Sequence, residues 1–320
     1  MDERRSDPNA VGASSPARGG THAREIALRR RRAAALALVA LVALIVGLVV
    51  GGSSGGGGGS DRPVASTEVG FLSEVKRLAG NGSGSFAARQ RAQDNAAINR
   101  TLAYTPAVMV AGRQHRELAL TFDDGPGPYT LRLLRVLRRT QTPATFFEVG
   151  VGLEYFHAGT SAIVKLGDPI GDHTETHPDM AELSRAQQQA ELLQQTAAIG
   201  RYGAPFPRLF RPPYGDWNQT TLSLLHKYHM LMVLWSGDTD DWQLPGTHTI
   251  VQRALKYAKP GAIILMHDAG GNRSETIAAL PTVIHDLRAR GYKLVTVPQL
   301  LLDNPAPRHQ DFSLLDGAGG

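Results

Sequence analysis

The chain has 320 residues, no cysteine and a formal net charge of +5. Because cysteine is absent, disulfides, thiolate nucleophiles and cysteine-ligated zinc sites are excluded, and any metal must be held by histidine, aspartate or glutamate. Residues 1–32 hold eight basic and four acidic side chains, whereas the remaining 26 bases and 25 acids nearly cancel. The sequence therefore predicts no basic surface of the kind that binds nucleic acid.

A continuous apolar segment follows the basic N-terminus. Residues 33–50 read AAALALVALVALIVGLVV, directly after four arginines. This segment forms about 27 Å of helix, close to the roughly 30 Å hydrocarbon core of a bilayer. It predicts a single transmembrane helix, with residues 1–32 as a basic cytoplasmic tail and the rest of the chain on the extracytoplasmic side of the cell membrane. A buried helix and a cleaved signal peptide are the alternatives.

Two further segments separate this helix from the region that carries the chemistry. Residues 51–60 read GGSSGGGGGS, which predicts a flexible linker about 16 to 19 Å from end to end. Residues 61–114 contain turn residues and a predicted helix over 85–102. We interpret this region as a stalk, or as a helix that packs on the following domain.

From residue 115 to residue 302, short apolar runs alternate with helical patterns, and residues 303–320 form a C-terminal tail. The alternation predicts an α/β fold, a (β/α) barrel in the form of a distorted seven-stranded parallel barrel. We interpret segment 150–160, GVGLEYFHAGT, as a loop near the rim. The predicted strands are 117–122, 144–149, the neighbourhood of Ile170, 208–210, 231–235, 262–266 and 293–297. The predicted helices are 131–139, 184–199, 219–229, 249–258 and 275–290.

Unusual polar residues follow the predicted strands, where each strand ends. The carboxyl ends of the strands of an α/β barrel meet at one rim, and active sites lie there. Residues far apart in the chain are therefore expected to share one site. These residues are Asp123, Asp124, His173, His177, Arg211, Asp238, Asp241, Trp242 and His267.

The residue types at this rim favour a metal site. Asp123 and Asp124 are adjacent carboxylates that repel each other unless a cation neutralises one of them. His173 and His177 add two imidazoles, either at helical i, i+4 spacing or in a tight loop. One aspartate and both histidines make a ligand set that leaves positions open for water. A metal in such a site can lower the pKa of its bound water from about 15.7 to about 7 and polarise a carbonyl, which favours hydrolysis.

Five segments in this order resemble the polysaccharide deacetylase family of carbohydrate esterases. They are TFDDGP at 121–126, HTETH at 173–177, RPPYG at 211–215, DTDDW at 238–242 and LMH at 265–267. The resemblance covers about residues 115–302. It implies a metal-dependent hydrolase that removes acetyl groups from an N-acetylated polysaccharide of the cell envelope, such as peptidoglycan or a chitin-like polymer of N-acetylglucosamine.

The resemblance also implies a role for each residue of these segments. Asp123 would be the general base and His267 the general acid, held in place by Arg211 and Asp241 respectively. The cofactor would be a divalent metal, zinc or another ion such as cobalt. The backbone N–H of Tyr214 would stabilise the oxyanion. The implied metal ligands are Asp124, His173 and His177, and the implied substrate-binding residues are Tyr214, Trp242 and Leu265.

Two other functions stay open at this point. The same metal, base and acid serve an O-acetyl esterase that acts on xylan or another acetylated glycan. A non-catalytic, membrane-tethered glycan-binding domain could retain the fold without turnover. The predicted outward-facing linker favours peptidoglycan as the substrate, because a domain about 20 Å from the membrane meets the wall first.

Overall fold

The computed structural model describes residues 86–312. The predicted basic tail, transmembrane helix and linker lie outside these residues. Between residues 86 and 312, no helix combines the length and the apolar character that crossing a bilayer requires.

Nine strands in the described part of the chain form one sheet. The strands are β1 (Ala107–Val108), β2 (Glu117–Gly125), β3 (Thr145–Glu148), β4 (Ile170–Asp172), β5 (Leu209–Phe210), β6 (Leu231–Val233), β7 (Gly237–Asp238), β8 (Ile263–His267) and β9 (Lys293–Leu294). Their order in the sheet is β1-β6-β5-β4-β3-β2-β8-β7, with β9 also paired to β2, and every strand pair is parallel.

The sheet curves back on itself. β6 and β7 lie near opposite ends of the strand order, yet only residues 234–236 separate them in the chain. An antiparallel bridge between Val110 and Ala262 brings the chain after β1 to the start of β8. This arrangement is consistent with the predicted (β/α) barrel.

Helices surround the strands. Their starts follow from local sequence: Ser184 and Gln187 form the predicted capping box before the helix Arg185–Gly200, and Asn218 caps the helix Gln219–Lys227. The helices are α1 (Phe86–Leu102), α2 (Thr130–Arg139), α3 (Gly150–Leu166), α4 (Arg185–Gly200), α5 (Gln219–Lys227), α6 (Thr247–Lys256), α7 (Ser274–Ala289) and α8 (Val297–Asp303).

The structure corrects the predicted elements in three places. All seven predicted strands are present, but β1 and β7 add two strands that are too short to show a periodic pattern. The strand predicted over 293–297 ends at Leu294, because Thr296 caps α8 and Pro298 lies in its first turn.

The third correction concerns segment 150–160, which belongs to α3 and is not a loop. Glycine lowers helix propensity, and here it is required by close packing. A Cβ on Gly152 would lie 2.6 Å from the carbonyl oxygen of Pro126, and one on Gly159 would lie 2.9 Å from Thr130 Cγ2.

The alternation of side chains in β2 directs the polar residues of the site inward. Successive side chains of a strand point to opposite faces of a sheet. Leu118, Leu120 and Phe122 are buried with the apolar faces of α2 and α7 in one outer core. Asp123, the next residue, therefore points into the barrel, where its side chain is almost fully buried.

Three other strands deliver a polar side chain inward in the same way. Phe210 of β5 is buried against α5 on the outside, and Arg211 after it lies over the inner ring of Phe147. His173 directly follows β4, and His267 ends β8. The strand pattern thus places the candidate site at the carboxyl ends of the strands, as predicted.

Helix α1 packs directly on the barrel. Ala97 and Ile98 share an apolar cluster with β1 and α8. Arg208, before β5, donates to Asn95 Oδ1 at 3.1 Å and to Asn99 Oδ1 at 2.6 Å. Of the two interpretations of residues 61–114, the described part of that region therefore fits a helix that packs on the following domain.

We predict that Ile98→Ala lowers the free energy of unfolding by about 2 to 4 kcal/mol, because the side chain is buried between α1 and the barrel. Gln93→Ala, an exposed position of the same helix, is the control and should change stability by less than about 0.5 kcal/mol. Urea unfolding of both variants measures the difference. Equal stabilities for the two variants would show that α1 does not belong to the folded unit.

Candidate active site

Arg211 is the central buried cation of the site and is fully inaccessible to solvent. Its guanidinium donates to Asp123 Oδ1 at 2.7 Å and to Thr121 Oγ1 at 2.9 Å. It also donates to the backbone oxygens of Val233, at 2.9 Å, and Leu234, at 3.3 Å. These bonds hold the Asp123 carboxylate in one orientation, because the charge-assisted pair and its neighbours leave it little freedom.

Burial raises the pKa of Asp123 to about 6, although the charges of Arg211 and His267 favour its ionised form. The neighbouring Asp124 raises it further by repulsion. Asp123 is therefore a carboxylate that is ionised at neutral pH but more basic than an exposed aspartate.

Asp124, His173 and His177 form a candidate metal centre. Each offers one ligand atom, and the three atoms lie within 4.8 Å of one another. Asp124 Oδ1 lies 3.6 Å from His173 Nε2 and 3.2 Å from His177 Nε2. The two histidines lie in a tight loop after β4 and not in a helix, which resolves the two geometries left open by the sequence.

The second nitrogen of each histidine has a partner of the kind that metal ligands use. His173 Nδ1 lies 2.6 Å from the backbone oxygen of Arg211, and His177 Nδ1 lies 3.2 Å from Tyr214 Oη. Such partners fix the ring so that Nε2 presents its lone pair. Burial, together with nearby His177, lowers the pKa of His173 to about 3, so its ring is neutral as a ligand must be.

The charge on Asp124 also suits a cation site. Burial opposes its ionisation, but His177, His267 and His173 outweigh that effect, and the pKa of Asp124 lies well below its usual range. The donor set of one carboxylate and two imidazoles therefore fits a divalent ion such as zinc.

His267 lies on the other side of the aspartate turn. It is paired in register with Asp123 across the β2–β8 ladder. His267 Nδ1 lies 2.7 Å from Asp241 Oδ1, and Thr276 Oγ1 donates to Asp241 Oδ2 at 2.7 Å. Burial lowers the pKa of His267, but the Asp241 carboxylate more than reverses this and raises it to about 9. His267 is therefore protonated at neutral pH.

Nine of the ten predicted site residues lie at the strand ends or in the segments that directly follow them. The tenth, Leu265, is buried within β8, two residues before His267. Trp242 is half-buried in the short 3₁₀ turn that begins at Asp241. Tyr214 is half-buried next to His177, with the two rings 4.8 Å apart.

Several non-glycine residues of the site adopt left-handed backbone conformations. Asp124, Thr174, His177 and Tyr214 have φ values of 73°, 70°, 61° and 64°. Such conformations cost of order 1 kcal/mol or more each and persist where the surrounding structure imposes them. Their concentration at one rim supports its assignment as the functional site.

Sequence reasoning missed the residues that support the predicted ones. Thr121 contacts Arg211, Thr276 contacts Asp241, and Thr130 donates to Asp268, the buried residue after His267. A threonine on a strand or helix carries no signal of such a contact. Only Asp268, a carboxylate next to the motif LMH, could have been noticed.

Comparisons with known proteins agree with the geometry. A family model described as polysaccharide deacetylase matches residues 111–233. A peptidoglycan-N-acetylglucosamine deacetylase of Bacillus cereus is 37% identical over 187 residues, which cover 58% of this chain and 87% of that protein. A chitooligosaccharide deacetylase of Bradyrhizobium is 37% identical over 199 residues, covering 58% of this chain and 90% of that protein.

Among solved structures, the fold is similar to the Bc1960 peptidoglycan N-acetylglucosamine deacetylase, crystallised with a naphthalenyl N-hydroxybenzamide. The TM-score is 0.60 and the identity 29%, with 65% of this chain and 97% of that chain covered. The chain belongs to the polysaccharide deacetylase family, a class of hydrolytic enzymes.

We predict that the protein binds one divalent ion and that His177→Ala weakens zinc binding by about 100-fold or more, since even the partners of metal ligands contribute about 10- to 100-fold. Isothermal titration calorimetry with zinc measures this. His285→Ala is the matched control, because the side chain of His285 is 80% exposed and should leave the affinity unchanged. Equal zinc affinity in the two variants would refute the assigned ligand set.

Proposed function

We propose that the protein is a zinc-dependent N-deacetylase of cell-envelope polysaccharide, and that peptidoglycan is its substrate. The reaction is hydrolysis of the acetamide of an N-acetylated sugar, which releases acetate and leaves an amine on the glycan. Support comes from relatives named as deacetylases of peptidoglycan and of chitooligosaccharides and from the residues at the rim.

One observation carries this proposal: two proton-handling groups, Asp123 and His267, are paired in register on neighbouring strands, and their pKa values lie on opposite sides of neutral pH. At neutral pH, Asp123 is ionised and His267 is protonated, with pKa values of about 6 and about 9. Pairs of titratable groups separated in this way are typical of general base and general acid partners.

Asp124, His173 and His177 would hold the metal, which when bound supplies an activated water and polarises the acetamide carbonyl. Asp123 removes a proton from the attacking water, with its orientation set by Arg211. His267 gives a proton to the leaving amine, and Asp241 keeps its ring charged and correctly turned. Tyr214 would stabilise the oxyanion through its backbone N–H, and Trp242 and Leu265 would enclose the acetyl methyl group.

We also propose that residues 33–50 hold the protein in the cell membrane, with the catalytic fold on the extracytoplasmic side. The apolar segment, the arginines before it and the glycine-rich linker after it support this placement. It would bring the site to the wall polysaccharide.

The proposal is tested by acetate release from N-acetylated oligosaccharides, including peptidoglycan fragments, with zinc added. We expect Asp123→Asn to lower kcat by about 10²- to 10⁴-fold, the usual contribution of a general base. Asp286→Asn changes a partly exposed acid of α7 that bonds to His285; it is the matched control and should retain activity.

Three outcomes would contradict it. Release from O-acetylated xylan alone would indicate an esterase. Glycan binding without acetate release would indicate a non-catalytic domain. Full activity of Asp123→Asn would refute the assignment of Asp123 as the general base.

The pH dependence of the deacetylase activity should reflect the titration of His267. Because general acid catalysis needs the protonated ring, activity should fall as pH rises through about 9. Asp241→Asn removes the charge that raises the pKa of His267, so the alkaline limb of the kcat profile should move to lower pH by about one unit or more. An alkaline limb that stays in place in this variant would exclude His267 as the acid.

A further inference from the structure

Asp268 follows His267 at the end of β8, and its side chain is fully buried. Oδ2 accepts a short hydrogen bond from Thr130 Oγ1, whereas Oδ1 has no hydrogen-bond partner within the part of the chain that is described. A buried oxygen without a partner costs about 1 to 3 kcal/mol. Stability alone does not explain such a group, and departures of this kind are expected at functional sites.

The Thr130 hydroxyl connects Asp268 to the aspartate turn. Besides donating to Asp268, Thr130 Oγ1 accepts from the backbone N–H of Gly127 at 2.8 Å. The backbone N–H of Asp268 donates to the carbonyl oxygen of Asp123 at 3.1 Å. Asp268 therefore contacts the turn on both sides. Its backbone N–H binds Asp123 at the start of the turn, and its side chain reaches Gly127 at the end of the turn through Thr130.

Gly125 shows how closely the carboxylate packs on this turn. A Cβ on Gly125 would lie 2.6 Å from both carboxylate oxygens of Asp268. The φ of Gly125 is not in the left-handed region, so its backbone conformation would accept other residues. The glycine is required by the space that Asp268 occupies.

We propose that Asp268 and Thr130 form a clamp that positions the turn carrying Asp123 relative to His267. The two are positioning residues, because they act through the turn and not on the substrate. This inference rests on the proposed function, in which Asp123 and His267 are base and acid. Misplacing a catalytic group by about 1 Å can cost about 10²-fold in rate, and the clamp prevents such a shift.

The experiment measures kcat and KM for deacetylation with saturating zinc, so that any loss of metal affinity is bypassed. Thr130→Val, which removes the hydroxyl at similar volume, and Asp268→Ala should each lower kcat by about 10- to 100-fold and change KM by less than about twofold. Thr130→Ser should recover most of kcat, because its hydroxyl can make both bonds. Ile98→Ala, destabilised far from the rim, should retain kcat.

A double-mutant cycle tests the contact with Gly125 separately. Gly125→Ala should lower kcat by about tenfold in the otherwise native chain, because the new methyl displaces Asp268. In the Asp268→Ala chain the same change should have less than about a twofold effect, since the obstructing carboxylate is gone. If Thr130→Val does not fold, the clamp is tested by this double-mutant cycle and by the kcat of Asp268→Ala.

The outcomes separate the clamp from the function on which it rests. If the native protein releases no acetate from any glycan, the proposed function fails and the clamp with it. If the native protein is active and Thr130→Val and Asp268→Ala stay within about twofold of it, only the clamp is refuted. The clamp is also refuted if Thr130→Ser lowers kcat as much as Thr130→Val does, or if Ile98→Ala lowers kcat as much as the clamp variants do. Additive effects of Gly125→Ala and Asp268→Ala on kcat would refute it too.

Discussion

The buried ion pair of Arg211 and Asp123 is the interaction on which the rim depends. A buried charge is costly unless it is paired and its hydrogen-bonding groups are satisfied, and losing one partner of such a pair costs about 3 to 5 kcal/mol. Arg211 meets this condition by bonding to β2 and to the end of β6 with the residue after it, and its guanidinium carbon lies 4.1 Å from the centre of the Phe147 ring in β3. Its carbonyl oxygen also accepts a hydrogen bond from His173 Nδ1. One residue therefore couples Asp123, the proposed base, to His173, a proposed metal ligand.

The second constraint is the shape of the turn after β2. Asp123 faces the barrel because it continues the alternation of the strand, whereas the left-handed conformation of Asp124 turns its carboxylate toward the two histidines. Adjacent carboxylates in a regular strand would point to opposite faces. The strained residue therefore allows two neighbouring aspartates to reach one site with different partners, Arg211 for Asp123 and the two histidines for Asp124.

The site motifs could be predicted from the sequence because they follow predicted strands, and the carboxyl ends of the strands in this fold meet at one rim. This is why Asp123, His173, Arg211 and His267, which lie far apart in the chain, could be assigned to one place. The supporting contacts were not readable, since Thr130 and Asp268 lie 138 residues apart and belong to a helix and a strand end that share no pattern. Strands β1 and β7 and the glycine-containing start of α3 escaped prediction because packing, and not periodicity, determines them.

The same burial acts in opposite directions on the two proton-handling groups, and their partners determine the outcome. Removal from water disfavours the charged form of both Asp123 and His267. For Asp123 burial prevails over Arg211, which is shared with Thr121 and two carbonyl oxygens, and the carboxylate becomes more basic. For His267 the Asp241 carboxylate prevails, because Asp241 is directed at the ring and is itself stabilised by Thr276 and the backbone N–H of His267. One buried site can thus hold an ionised carboxylate and a protonated histidine on adjacent strands, provided that the arginine bonds to several acceptors and that Asp241 bonds closely to the one histidine.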